Sequence, residues 1–272
     1  MIGATNYGGN ITLTGNKTTV NNNLNNLVFQ SSTSNVSAAI NAFLYTQIQT
    51  YNNITQASNV GTTLSIAPNL GEAFEGGYYA GTIDYNQANV GTHYLIVADK
   101  QNSDFLETWQ SGSYTFDTSE VDGATNTATM MTVNPVGFPA ANACADFSND
   151  GSPEYFDWYL PARYELQTIY QNLKPSTGNN NVATGTNPFS VPARGSDYSV
   201  SDPAQTSAVN FQTSGGTEAF TTSGTFGYWT STEVADNLTA RKVIMGNGAL
   251  QTASVGTQGY ARPVRKRTRY GL

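Results

Sequence analysis

The chain holds one histidine, His93, and one cysteine, Cys144, and each limits the chemistry on offer. A serine triad needs an imidazole beside its nucleophile. His93 stands next to Tyr94 in a strand-like run with no nucleophile elbow near it, so it reads as a structural or surface histidine. A single thiol leaves no internal disulfide, no cysteine-based metal site and no CxxC redox pair. No phosphate-binding loop or dinucleotide fingerprint occurs. Oxygen side chains supply the one metal-like pattern. Asp146, Ser148, Asp150, Glu154 and Asp157 fall at positions 1, 3, 5, 9 and 12 of a calcium-type loop, with Gly151 at 6. Pro153 at position 8 and Asp157 in place of the bidentate glutamate depart from that pattern. A plain helix-to-strand turn uses the same Asp, Asn and Gly for backbone reasons. No cofactor is therefore expected, with calcium at this loop as the alternative.

The elements that would hold these residues are read from pattern and punctuation. Two short strands, Gly76–Ile83 and His93–Ala98, flank a polar loop. Pro139–Phe147 reads as a short helix that turns Cys144 inward. Ala162–Leu173 reads as a better one, with Leu166, Ile169, Tyr170 and Leu173 on its inner face and Pro175 as its stop. Residues 175–216 form a long irregular excursion, and loops of that length inside a domain are usually functional. Strands return at Tyr228–Thr232, Ala240–Met245, Ala249–Ser254 and Ala261–Arg265, linked by turns such as Gly246-Asn247-Gly248.

At 272 residues, with 11% charged and 11% aromatic side chains, the composition suits β-structure with glycine turns and aromatic packing. The net charge of −7 hides an asymmetry: from Arg241 onward there are seven basic residues and no acid. The rest carries five basic against nineteen acidic side chains, a balance of −14. That acidic body argues against nucleic-acid binding. Arg262, Arg265, Lys266, Arg267 and Arg269 read as an edge strand and tail docking onto acidic surface. The first 71 residues contain one charge, Lys17, so a surface buried between subunits is expected there. Ile11-Thr12-Leu13-Thr14-Gly15 alternates like a strand. Val20, Leu24, Leu27 and Val28 share one helical face, and Val36, Ile40, Phe43 and Leu44 repeat that spacing. A boundary is placed within Thr55–Gly71. No signal peptide and no membrane insertion are expected, which implies synthesis in a host cytoplasm.

Four blocks occur in order: "DGATNTATM" (122–130), "PAANACADF" (139–147), "DWYLPARYELQTIYQNLKP" (157–175) and "GGTEAF…YWTSTE…ARKVIMGNG…ARPVRK" (215–266). Together with the lead-in "GGYYAGTI…YLIVADK", the series resembles the Lcl-type domain, a C-type-lectin-like family common in bacteriophage genomes and bacterial surface proteins. The resemblance covers about residues 72–266. It implies an α+β fold. A C-type-lectin-like domain over 72–272, with two helices, short antiparallel sheets and much irregular loop, would follow a small β-rich or mixed anchoring segment over 1–71.

The resemblance also implies a fixed core and a variable exposed face. Trp158 and Trp229 are expected in the core, Arg262 and Arg265 as closing pairs, and Glu165 as a fold-internal partner of Arg163 or the terminal arginines. Some relatives are diversified by retroelements between the "YWSSTE" strand and the closing "VR.VR" strand. The matching segment here is Ser231–Tyr260. Its candidate ligand contacts are Thr232, Glu233, Asp236, Asn237, Lys242, Met245, Asn247, Gln251, Thr257 and Tyr260. The implied role is a non-enzymatic virion structural protein, a tail fibre or surface-displayed fibre, that binds a host surface protein or glycan. The alternative is a capsid or tail decoration protein without a receptor. A homotrimer is expected, with residues 1–71 contacting other virion proteins. Formylglycine-generating enzymes share the lectin-like fold, but their oxidation uses two active-site cysteines and Cys144 stands alone.

Overall fold

The computed structural model describes residues 40–46, 58–64, 68–87, 92–115, 117–147, 155–222, 224–234 and 237–268. The expectations for Ile11–Gly15, Val20–Val28, Val36 and Arg269 lie outside the described residues. The fold is mixed α+β, with few helices and mainly antiparallel sheets. The strands are β1 (Ile40–Thr46), β2 (Ser58–Leu64), β3 (Ala73–Phe74), β4 (Gly77–Asp84), β5 (Thr92–Val97) and β6 (Phe105–Thr108). Then come β7 (Tyr228–Glu233), β8 (Thr239–Val243), β9 (Leu250–Ser254), β10 (Gln258–Ala261) and β11 (Val264–Thr268). The helices are α1 (Lys100–Ser103), α2 (Gly123–Val133), α3 (Pro139–Ala145) and α4 (Arg163–Leu173). No helix among the described residues is long and apolar enough to cross a membrane.

β1 and β2 form an antiparallel hairpin in which Ile40 pairs with Leu64 and Thr46 with Ser58. The helical spacing read at Ile40, Phe43 and Leu44 is therefore corrected. Backbone pairing with a second β-prone run outweighs a weak apolar periodicity.

A four-stranded sheet runs β11-β5-β4-β3, and a five-stranded sheet runs β6-β10-β7-β8-β9. Helix α4 packs on β4 of the first sheet and on β7 and β8 of the second. Its apolar face, Leu166, Ile169, Tyr170 and Leu173, joins Ile83, Leu95, Val97, Tyr228, Val243 and Val264 in the larger core. The opposite face of β7 looks into a second core, where Trp229 meets Trp109, Met130, Phe138, Cys144 and Leu160 under α2 and α3. Successive β7 side chains thus enter different cores, which is why Tyr228 through Thr232 are all buried.

Two details position the rest. β4 carries an irregularity between Tyr79 and Gly81, and Gly81 sits at φ +125° with no room for a Cβ beside the Asn172 amide. That amide donates to the Ala80 carbonyl at 3.0 Å and ties α4 to the sheet. Near the C-terminal side, the single strand expected at Ala261–Arg265 is two strands. Pro263 has no N–H to donate, so the ladder breaks there. The chain leaves β10 in one sheet and enters β11 in the other.

Candidate functional site

The segment 231–260 supplies β7 to β10 and the turns between them, and its candidate contacts divide by burial. Thr232 is almost fully buried: its Oγ1 accepts from the Arg163 N–H at 3.0 Å and donates to the Ser119 carbonyl at 3.1 Å. Met245 is wholly buried in the core below α4. Lys242 is buried too, its ammonium 3.8 Å from the Trp229 ring centroid and donating to the Gln258 carbonyl at 2.6 Å. Burial without a carboxylate pushes that amine down to about 8. These three are corrected from contacts to frame. Their polar tips are already used inside the fold, or they have none.

Glu233 closes β7 half-buried, its backbone N–H donating to Thr118 Oγ1 at 2.8 Å. Tyr260 is half-buried and stacks on Tyr228 with centroids 5.3 Å apart. Asn247 is also half-buried. Its Oδ1 accepts from the Ala249 N–H at 3.0 Å, and its carbonyl accepts from the Asn181 N–H at 2.8 Å. This asparagine holds a turn, so its side chain is not freely offered. Asp236 lies outside the described residues. The accessible members are Asn237, Gln251 and Thr257. Asn237 stands at φ +55°, a left-handed position that asparagine tolerates at a tight turn. Thr257 donates to the Ser254 carbonyl at 2.7 Å. Exposed Leu238 lies beside them. The face therefore presents amides and hydroxyls at the β7–β8 turn, along β9 and at the β9–β10 turn.

The long excursion read from the sequence as 175–216 adjoins this face. Residues of the long excursion run against the β8–β9 turn: Asn181 bonds Asn247 as above, and Thr184 Oγ1 donates to the Gly248 carbonyl at 3.0 Å. The excursion is pinned from below. Asn180 donates to the Ser199 and Pro203 carbonyls and receives the Tyr170 hydroxyl at 2.5 Å. Asn187 is fully buried and donates to the Tyr164 carbonyl and to Thr168. The buried Lys174 ammonium donates to the Gly178 and Pro203 carbonyls. Val182 and Val200, at 58% and 53% exposure, crown this rigid loop. Its length without charge from Ser176 to Ala193 was the available signal.

The framework is fastened by charge. Arg262 is 1% exposed: its guanidinium donates to the Ala98 carbonyl, the Glu218 carbonyl and the Glu218 carboxylate, and lies 4.5 Å from the Phe220 ring centroid. Arg265 forks onto Asp157 at 2.7 and 3.1 Å and also reaches Glu75. Lys266 pairs with Asp122 at 2.8 Å, and Arg267 pairs with Glu75. The basic strand β11 thus docks on acidic side chains. Trp158 and Trp229 are core residues, at 3% and 0% exposure.

Asp157 of the calcium-type loop is therefore engaged by a cation of the fold. Asp146 accepts from the Asn142 amide at 2.8 Å. Ser148, Asp150 and Glu154 lie outside the described residues. Among the described residues no three His, Cys, Asp or Glu side chains gather as a metal site.

Glu165 is internal, as expected, but its partners are not arginines. Arg163 pairs instead with Glu120 at 2.6 Å. The Glu165 carboxyl accepts from the Tyr85 and Tyr159 hydroxyls at 2.5 and 2.8 Å, and from the Gly123 and Ala162 N–H groups at 3.1 and 2.7 Å. It caps the starts of α2 and α4 together. Complete burial pushes it up to about 7 despite these donors. Cys144 is fully buried in α3, and burial raises its thiol well above the ordinary range. His93 is half-buried on β5, within 3.2 Å of the Thr268 hydroxyl and edge-on to Tyr85.

No protein-family model and no curated protein matches the chain.

Proposed function

We propose that this chain is a bacteriophage virion structural protein, a tail fibre or surface-displayed fibre. It would bind a host or particle surface ligand through a C-type-lectin-like domain over 72–272. The family resemblance suggests the role, and one observation supports it: segment 231–260 combines a locked frame with a short accessible rim. Trp229, Lys242 and Met245 are held inside, while Asn237, Gln251 and Thr257 offer amides and a hydroxyl on turns and an edge strand. Adaptable polar groups on a rigid scaffold are what a recognition surface needs. The pinned loop 176–200 widens that surface.

Binding of the fluorescently labelled full chain to bacterial cells, with intact phage as competitor, tests the reading. Asn237→Gly, which keeps the left-handed backbone, combined with Gln251→Ala and Thr257→Ala should abolish cell binding. The melting temperature should barely move, since exposed substitutions usually shift stability by less than about 0.5 kcal/mol each. Undiminished binding by that variant, with loss from changes at Val182 and Val200, would place recognition on the other loop.

A further inference from the structure

We draw no further inference here: the strongest candidate, the uncharged face of β6 and β10 on which Leu106, Gln258 and Tyr260 stand wholly or partly open to solvent, carries none because nothing in the structure shows what covers it.

Discussion

Glu165→Gln is the substitution with the most to reveal, because it keeps the shape of a buried carboxyl and removes its charge. The side chain is fully buried and rises from its ordinary 4.5 to about 7. The folded chain thus holds this proton more tightly than the unfolded chain does. The contribution to stability is fully present below about 4.5 and is lost as pH rises through about 7. A shift of that size is worth roughly 3 kcal/mol at ~1.4 kcal/mol per pH unit. A glutamine can accept the Gly123 and Ala162 N–H groups through its oxygen and donate from its amide to the Tyr85 and Tyr159 hydroxyl oxygens, which rotate to suit. Urea unfolding of both proteins at pH 4.5 and pH 8 measures the outcome. Relative to the parent, the variant should gain about 3 kcal/mol between those pH values, because other carboxylates cancel in the difference. A parent-to-variant difference that does not move with pH would refute the reasoning, because it would mean that the four donors fully offset the cost of burying the charge.

Two further substitutions follow from the same kind of reading. Cys144→Ala should cost about 1–2 kcal/mol, the range for a small truncation in a packed core, and leave binding intact. The parent thiol should stay unreactive to an aromatic disulfide reagent until the chain is denatured. Asn247→Ala should cost about 1 kcal/mol by chemical denaturation, since the Ala249 N–H loses its side-chain acceptor within the turn. A neutral result there would mean the turn is held by Asn181 and backbone alone.

Much of the fold was legible where pattern and physics agree. The inner face of α4 follows its 3.6-residue period, and the alternating run through β5 reads as a strand because tertiary pairing and local preference coincide. Helix α2 escaped notice. Its block Gly-Ala-Thr-Asn-Thr-Ala-Thr carries almost no apolar stripe, and its buried residues include Asn126 and Thr127. Those two are accommodated by hydrogen bonds to Ser119, Ser231 and Leu160, which composition alone does not announce. The start signal was present in Asp122, whose carboxylate accepts from the Thr125 N–H. The candidate rim was blurred for a different reason. A strand whose two faces enter two cores breaks the rule that alternate residues face solvent, so Thr232, Lys242 and Met245 looked available. The partners of Glu165 come from Tyr85, Gly123 and Tyr159, and no local spacing links them.

The crossing at Arg262-Pro263 bears on how the domain is born. β10 completes the five-stranded sheet by lying between β6 and β7, and β11 pairs with β5, so Val264 meets Val97. Neither sheet is whole until these late strands have left the ribosome. Contacts so distant along the chain close slowly. Until then β5, already paired with β4, keeps one edge open, and β6 waits for β10. A nascent chain of this kind leans on chaperones; one that ended before β10 would lack the strand that joins β6 to β7, and one that ended before β11 would leave that edge of β5 bare.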